Sequence, residues 1–351
     1  MTLKILFISH KFYPDIGGIE ANSEILANAF AKAGHEVRLL TWSMDSKEKK
    51  FPFAVIRKPD RRTLFREHAR ANLVFENNVS LRLAWPNLFF RRPSVIALHT
   101  WLSRPDGSMG WQDRLKFLWL QKARRVIAVS NSVRERCWPA SLVIENPYQE
   151  TIFQKYPEII RSRDFVFLGR LVSDKGADIA IQAFHYLLVM RDQLPGLSPI
   201  PSLTIVGDGP EREFLETETA RLGLSNHVLF TGSLRDKELV HCLNQHRFML
   251  VPSRWEEPFG MVALEGMACG CIPIVSDGGG LPDAVGKAGL TFRRANVEDL
   301  VANIQKILGN PSLEQQLLDA APYHLSTHRP DVVAHRYLET FKQAISDESS
   351  S

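Results

Sequence analysis

Short apolar runs alternate with amphipathic helical patterns along most of the chain. The runs KILFIS (4–9) and EVRLLTW (36–42) flank residues 20–35, where apolar side chains recur at helical spacing. Strands that alternate with helices in this way form parallel sheets covered by helices. The sequence therefore predicts an α/β protein with doubly wound sheets.

The predicted strands fall into two sets, separated by ENPYQET (145–151). The first set comprises KILFIS, EVRLLTW, SVIALHT (94–100) and RVIAVS (125–130), and the second comprises FVFLGR (165–170), SLTIVGDG (202–209), VLFTG (228–232), FMLVPS (248–253) and IPIVSD (272–277). A length of 351 residues also indicates about two domains. We predict two Rossmann-like domains, residues 1–147 and 148–330, that face each other across a cleft.

The composition argues against several classes of protein. The chain contains 4 cysteines, too few for a disulfide framework, and the C-x-C at 269–271 has no companion cluster typical of a metal site. We interpret the cysteines as core residues in a reducing compartment. The apolar N-terminal run is too short for a signal peptide, and no run is long enough to span a membrane. These features predict a cytoplasmic protein, and the polar tail 346–351 is expected to be disordered.

Charge is distributed unevenly along the chain. Residues 1–148 contain 24 Lys/Arg and 13 Asp/Glu, a balance of +11, whereas residues 149–351 contain 19 and 26, a balance of −7. In the basic half, segments 61–73 and 85–93 interleave cations with aromatic and leucine residues, as in a membrane-interface surface. A solvated helix with core aromatics explains the pattern equally well. Nucleic-acid binding would fit the charge, but the chain has no nucleic-acid-binding motif.

The loops that follow the strands are the first place to look for a site, because ligands bind at the carboxyl ends of parallel strands. Gly17 and Gly18 precede a helix, where backbone N–H groups can approach an anion or a plain turn can form. Arg170 and Lys175 follow another strand and suit a diphosphate, although a solvated basic turn would look the same. The chain lacks the G-x-G-x-x-G fingerprint, which disfavours a nicotinamide enzyme.

The stretch VPSRWEEPFGMVALEGMACG (251–270) places Glu257 and Glu265 in apolar surroundings. Glutamate is seldom buried unless it is paired or hydrogen-bonded. A helix is predicted to begin between the two, so that its first unpaired N–H groups form an anion cradle. Those N–H groups belong to Phe259, Gly260, Met261 and Val262. A phosphate at the cradle would let hydroxyl-rich groups on either side meet one carboxylate each.

The chain resembles the retaining glycosyltransferases of family 4, which have the two-domain GT-B architecture. The matching segments are YPDIGGIE, VIAVSNSV, FLGRLVSDKG, IVGDGPE, VLFTG and EEPFGMVALEGMACGCIPIVSDGGGLPDAVG, in family order over residues 1 to about 290. The resemblance implies sugar transfer from a nucleotide-diphosphate-sugar donor to a hydroxyl of a glycan or lipid-linked acceptor. It also implies that the final helix, residues 332–345, crosses back to the N-terminal domain, which binds the acceptor.

The resemblance also assigns roles to individual residues. Arg170 and Lys175 would bind the diphosphate, and the backbone of Gly17 and Gly18 would approach the phosphate or donor sugar. Glu257 would hold donor-sugar hydroxyls and Glu265 the ribose hydroxyls. Phe230 or its neighbours would line the base site, and His99 would lie near the donor sugar. The acid is doubled as Glu256–Glu257, and the spacing selects Glu257.

The expected reaction uses no metal and no cofactor, because the chain has no D-x-D motif. Cations and N–H dipoles would then stabilise the leaving diphosphate. Two alternative hypotheses are an epimerase or hydrolase of the same fold and a non-catalytic nucleotide-sugar-binding subunit. The basic N-terminal domain is expected to contact an anionic membrane surface, which would place the protein at the inner face of the membrane for envelope-polysaccharide or related synthesis.

Overall fold

The computed structural model describes residues 2–15, 17–44, 49–103, 110–194, 196–198 and 200–349. The chain divides into two compact units. Unit 1 comprises Met1–Tyr148 and His328–Ser351, and unit 2 comprises Gln149–Thr327. The first division lies one residue from the boundary that the sequence suggests.

Within the described residues, unit 1 contains one parallel sheet of seven strands. The strands are β1 (Lys4–Ile8), β2 (Glu36–Thr41), β3 (Ala54–Arg57), β4 (Leu73–Asn77), β5 (Ser94–Leu98), β6 (Arg125–Ala128) and β7 (Leu142–Val143). The helices are α1 (Gly18–Lys32), α2 (Arg61–Arg70), α3 (Leu81–Ala84), α4 (Asn87–Phe90), α5 (Trp111–Leu120), α6 (Asn131–Cys137) and, at the end of the chain, α14 (Pro330–Ser349).

Unit 2 contains a parallel sheet of six strands in its described residues. These strands are β8 (Arg163–Leu168), β9 (Leu203–Val206), β10 (Val228–Gly232), β11 (His246–Val251), β12 (Ile272–Ser276) and β13 (Leu290–Phe292). Its helices are α7 (Ala177–Val189), α8 (Arg212–Arg221), α9 (Asp236–Asn244), α10 (Met261–Ala268), α11 (Leu281–Val285), α12 (Val297–Leu308) and α13 (Pro311–Thr327), with short 3-10 helices at Ser173–Lys175 and Arg191–Gln193.

The strand order reverses once in each sheet. Unit 1 has the order β3-β2-β1-β4-β5-β6-β7, so its chain changes direction between β1 and β4. Unit 2 has the order β10-β9-β8-β11-β12-β13, and its reversal lies between β8 and β11. The loops after the two central strands diverge at such a reversal and leave a crevice, which is where ligands bind in doubly wound sheets.

The C-terminal helix packs against the sheet of unit 1. The ring of Phe75 in β4 lies 4.8 Å from that of Phe7 and 5.1 Å from that of Phe341 in α14. Phe30 of α1 lies 5.4 Å from Phe341. These rings are fully buried in one hydrophobic cluster, so α14 completes the core of unit 1.

The structure corrects the prediction for the C-terminal tail. Residues as far as Ser349 continue α14, whereas a disordered tail was expected from residue 346. Asp347 pairs with Arg125 at the start of β6, which ties the last turns of the helix to the sheet. Residues 350 and 351 lie outside the described residues. None of the described helices combines the length and the apolar character needed to cross a membrane.

Four strands, β3, β4, β7 and β13, are not indicated by the sequence patterns. Three of them lie at sheet edges and have four residues or fewer. β4 is different, because it lies next to β1 in the sheet and is buried throughout its length. Its sequence, LVFEN, ends in two polar residues that obscure the apolar run.

Candidate functional site

Two loops meet at the strand reversal of unit 2. Lys175 ends the 3-10 helix that follows β8, and Glu257 lies in the loop after β11. Lys175 Nζ is 2.5 Å from Glu257 Oε1, and the Ser253 hydroxyl donates to the same oxygen over 2.7 Å. Side chains that lie 82 residues apart in sequence are thus joined at the carboxyl edge of the sheet.

Two glycines allow the chain to come this close. Gly176 has φ +71°, and a Cβ there would lie 2.0 Å from the Pro252 carbonyl oxygen. Gly279 has φ +68°, and a Cβ there would lie 2.2 Å from the Glu257 carbonyl oxygen. Gly280 N–H donates to that carbonyl over 2.7 Å. The Glu257 carbonyl is therefore held by the Gly279–Gly280 backbone, Gly176 packs against Pro252, and larger residues are excluded at both glycines.

The adjacent glutamates point to different partners. Glu256 pairs with Arg294, with 2.7 Å between Oε1 and Nη1, whereas Glu257 pairs with Lys175. Only 15% of the Glu257 side chain is exposed, against 35% for Glu256. The geometry therefore distinguishes Glu257 as the carboxylate beside the predicted cationic loop.

Helix α10 begins at the edge of the same site. Gly260 is its N-cap, with φ +115°, and the Phe259 side chain is buried beneath it. The backbone N–H groups of Gly260, Met261 and Val262 have no hydrogen-bond acceptor among the residues that the structure describes. Such N–H groups and the helix dipole together favour an anion.

Glu265 lies in α10 and is half-buried. Within the described ranges, its carboxyl group forms no hydrogen bond or ion pair, and burial raises its pKa to about 7. A buried carboxylate is costly unless donors surround it. Glu265 can therefore accept hydrogen bonds from a ligand that supplies hydroxyl groups.

The other two predicted residues of unit 2, Arg170 and Phe230, form no side-chain hydrogen bond or ion pair with the Lys175–Glu257 pair among the residues that the structure describes. The Arg170 side chain is exposed after β8 and makes no hydrogen bond or ion pair in the described part of the chain. The Phe230 ring in β10 is partly buried and packs against the hydrophobic core of unit 2.

His99, Gly17 and Gly18 belong to unit 1 and are not part of this constellation. Gly17 is the N-cap of α1 and Gly18 its first residue, and both are exposed. Gly17 has φ 173°, an extended conformation that any residue can adopt. A Cβ on Gly17 would approach Glu20 Oε2 to 2.4 Å, because the Glu20 side chain folds back over the helix N-terminus.

His99 is buried at the end of β5 in a hydrogen-bonded network. Its Nε2–H donates to Asn77 Oδ1 over 2.7 Å, while Asn77 Nδ2 donates to Asn22 Oδ1 and Ser23 Oγ over 3.1 and 2.7 Å. Since Asn77 uses its amide nitrogen for these two, its oxygen must accept from His99. Burial lowers the pKa of His99 to about 3, so the ring is neutral in ordinary buffers.

The sequence patterns gave no role to Asn22, Ser23 or Asn77. Their positions at the start of α1 and at the end of β4 were the available signal, but β4 itself was not predicted. Among the described residues, no group of three or more His, Cys, Asp or Glu side chains is arranged to hold a metal ion. All 4 cysteines are buried and unpaired as disulfides.

The raised pKa of Glu265 makes a prediction about stability. The folded protein binds a proton at Glu265 between pH 4.5 and about 7 that the unfolded chain releases, so wild-type stability falls as pH rises through this window. Glu265→Gln removes the cost of burying an ionised carboxylate and should raise the free energy of unfolding at pH 8 by up to about 3 kcal/mol. Thermal unfolding from pH 4 to 8 measures this, with exposed Glu158→Gln as the control. An equal gain at pH 4 and pH 8 contradicts the assignment.

Comparison with known proteins identifies the family. Residues 148–323 match the model for glycosyl transferases group 1, and residues 16–139 match that for Glycosyltransferase Family 4. The glycogen synthase of Mycobacterium tuberculosis is 27% identical over 66% of this chain and 53% of its own length. The D-inositol 3-phosphate glycosyltransferase of Jonesia denitrificans is 30% identical over 51% of this chain and 42% of its own. The chain thus aligns with about half the length of these curated relatives.

Solved structures show the same fold. Anabaena HepE in complex with UDP and glucose has a TM-score of 0.78 at 20% identity, over 97% of this chain and 100% of its own. Sucrose-phosphate synthase from Thermosynechococcus elongatus has a TM-score of 0.77 at 21% identity, over 98% and 99% of the two chains. These matches over nearly the whole chain confirm the predicted GT-B fold class, with two parallel-sheet α/β domains. Because the group 1 model spans half of the chain, the protein belongs to the family of group 1 glycosyl transferases.

Proposed function

We propose that the protein transfers a sugar, with retention of configuration, from a nucleotide-diphosphate-sugar donor to a hydroxyl of a glycan or lipid-linked acceptor. The observation that carries this proposal is the pairing of Lys175 with Glu257 beside the free N–H groups at the start of α10. Departure of a nucleoside diphosphate builds negative charge, which a cation and fixed N–H dipoles stabilise. Lys175 and these N–H groups are therefore suited to stabilise the negative charge of the leaving group.

Each residue of unit 2 has a role in this proposal. Arg170 and Lys175 bind the diphosphate, and the N–H groups of Gly260, Met261 and Val262 donate hydrogen bonds to one of its phosphates. Glu257, held by Lys175 and Ser253, accepts hydrogen bonds from donor-sugar hydroxyls. Glu265 accepts hydrogen bonds from the ribose. The nucleobase lies beside the backbone near Phe230.

The proposed chemistry needs neither a metal ion nor an enzymic nucleophile. Glu257 is committed to two hydrogen-bond donors, which favours orientation of hydroxyls over attack on the anomeric carbon. Substitution on one face of the sugar, with the leaving phosphate taking the acceptor proton, accounts for retention. His99 is neutral at ordinary pH, so in unit 1 it can act only as a hydrogen-bonding group and not as a cation.

The comparisons support the choice of donor. The HepE structures contain UDP, UDP with glucose and UDP-glucose, so a protein of this fold holds a nucleotide sugar. Relatives act on different acceptors, since their names include glycogen synthase and D-inositol 3-phosphate glycosyltransferase. The proposal for this chain is accordingly a nucleotide-diphosphate sugar as donor and a hydroxyl-bearing acceptor bound by unit 1.

A surface of unit 1 suits an anionic membrane. The Phe65 ring in α2 lies 5.3 Å from Trp85 and 5.6 Å from Phe89, and Phe89 and Leu88 are 67% and 46% exposed. Exposed aromatic side chains among arginines are typical of interfacial binding. Residues 61–73 and 85–93 supply those arginines, at positions 61, 62, 66, 70, 91 and 92.

Helix α5 adds an apolar stripe to this surface. Trp111, Leu115 and Leu118 are 71%, 43% and 56% exposed, and their spacing of four and three residues places them on one side of the helix. Helices α2, α3 and α5 contribute Leu64, Leu83 and Trp119 to one hydrophobic cluster, so they cover the same face of the sheet. We call the exposed side chains of α2, α4 and α5 the interfacial surface and propose that it contacts anionic lipids when the acceptor is lipid-linked.

A donor incubation tests the reaction. The protein is mixed with individual nucleotide sugars, with and without glycan and lipid-linked acceptors, and nucleotide release, product mass and anomeric configuration are measured. We expect acceptor-dependent release that excess EDTA does not reduce. Epimerisation or hydrolysis without an acceptor would contradict the transferase hypothesis and identify an epimerase or hydrolase. Absence of turnover with every donor would favour a non-catalytic binding subunit.

The two glutamates of the site should differ in effect. Glu265→Ala removes hydrogen bonds to the ribose and should raise the donor dissociation constant about 10-fold to 100-fold, with a small change in kcat. Glu257→Ala also releases Lys175 and should lower kcat by about 100-fold or more. Calorimetric titration and steady-state kinetics measure both. Glu256→Ala, which removes only a partly exposed ion pair, is the matched control; equal, mild effects at 257 and 265 contradict these roles.

Flotation tests the interfacial surface. We expect the protein to float with vesicles of phosphatidylcholine and phosphatidylglycerol at low salt, and Phe89→Ser to lower the partition coefficient about 10-fold, since one buried aromatic side chain is worth about 1.5–3 kcal/mol. Phe214→Ser, at a 58% exposed phenylalanine of unit 2, is the control. Equal losses in both variants, or no flotation of the wild type, would exclude this surface.

A further inference from the structure

Unit 1 has a strand reversal of its own that the proposed donor does not use. The reversal lies between β1 and β4, and the loops after β1, β2 and β4 surround it. These segments carry His10 and Lys11, Trp42, and Arg82 at the start of α3. A ligand crevice is expected at this point of the sheet for the same topological reason as in unit 2.

The loops here are held in place by hydrogen bonds. The backbone N–H of Trp42 donates to the His10 carbonyl over 3.0 Å. Phe12 N–H donates to Ser43 Oγ over 2.9 Å. Arg57 Nη1 donates to the Tyr13 carbonyl over 2.7 Å, which joins the end of β3 to the loop after β1. The positions of His10, Lys11 and Trp42 are therefore set by the fold.

Arg82 is fixed against the indole of Trp42. Its guanidinium carbon lies 3.9 Å from the ring centroid, while the residue as a whole is exposed. Stacking of this kind uses the flat face of the guanidinium and leaves its N–H edge available, and that edge matches the paired oxygens of a phosphate or carboxylate. An arginine on a rigid platform loses little entropy when it binds such a group.

The cations of this cluster lack a carboxylate partner in the part of the chain that the structure describes. Elsewhere in unit 1, Arg38 pairs with Glu67 and Arg70 with Glu36. His10, Lys11 and Arg82 form no comparable ion pair. Burial lowers the pKa of His10, and the positive charges of Arg82 and Lys11 lower it further, so both cations lie near the His10 ring.

We propose that His10, Lys11 and Arg82 form a subsite for a phosphate group carried by the acceptor. The inference rests on the proposed function, in which the diphosphate of the donor is bound in unit 2, so an anion bound in unit 1 belongs to the other substrate. Two permanent cations match a phosphate dianion better than a single carboxylate charge. The acceptor class is thus a phosphorylated alcohol, either free or part of a lipid headgroup.

Phosphate binding is measured first with inorganic phosphate, by thermal shift at constant ionic strength. All proteins carry Lys175→Ala to weaken the phosphate site of unit 2. We expect phosphate at ten times its dissociation constant to raise Tm by about 2–4 °C. Arg82→Gln should abolish most of this shift, and Lys11→Gln should reduce it if Arg82→Gln does not fold. Arg221→Gln, at an exposed arginine of α8 that pairs with Glu218, should retain the shift.

The source of the phosphate is tested with two further probes. Glycerol 3-phosphate replaces inorganic phosphate in the thermal shift, and vesicles of phosphatidylcholine with or without phosphatidic acid are used for flotation. Loss of the glycerol phosphate shift alone in Arg82→Gln indicates a free phosphorylated acceptor. Loss of binding to phosphatidic acid vesicles as well indicates a lipid headgroup. No difference between Arg82→Gln and Arg221→Gln with any probe overturns the subsite.

The inference and the proposed function fail in separate ways. Binding of the nucleotide sugar to unit 2 is measured by calorimetry and should be the same in wild type and Arg82→Gln. A protein that binds phosphate through Arg82 but neither binds nor turns over nucleotide sugars would retain the subsite and lose the proposed reaction. A protein with full transferase activity whose phosphate response does not depend on Arg82 would retain the reaction and lose the subsite.

Discussion

The ion pair between Lys175 and Glu257 depends on the reversal of strand order between β8 and β11, because only this topology brings the two loops together. The pair is partly buried, with side-chain exposures of 30% and 15%, so both groups lose some hydration. The Ser253 hydroxyl and the close approach at Gly176 offset this loss by holding one geometry. A site that depends on charge at a leaving group gains from such order, since the dipoles do not reorganise during the reaction.

The sequence predicts much of the scaffold because parallel strands buried on both faces are rich in apolar residues. Every strand that the patterns indicate is present within the described residues, and VLFTG has the predicted limits. β4 was missed because Glu76 and Asn77 end it. Glu76 is nevertheless buried, where it accepts from Trp119 Nε1 over 2.7 Å and from Ser80 N–H over 3.0 Å. These partners come from other elements, and no local pattern indicates that a glutamate will be satisfied in this way.

The same limit applies within the candidate site. Spacing pointed to Glu257 over Glu256, but only the positions of Arg294 and Lys175 show which carboxylate each cation meets. His99 could be recognised as a histidine at the end of a strand, yet its neutral state follows from burial and its tautomer from the amide oxygen of Asn77. Motifs therefore locate the loops of a site, whereas protonation and pairing depend on residues that are distant in sequence.

The buried polar network of unit 1 links the start of α1 to the end of the unit. Ser9 and Ser23 share a hydrogen bond of 2.8 Å, and Asn22 donates to Asn146 over 3.0 Å. The Asn146 carbonyl lies 2.9 Å from His328 Nδ1, just before α14. Removing a central member of a buried network leaves several groups unsatisfied at once, which costs more than a single hydrogen bond. The network thus fixes the helix that begins at Gly18 to the same asparagine that sets the tautomer of His99, so backbone position and ring chemistry in unit 1 are determined together.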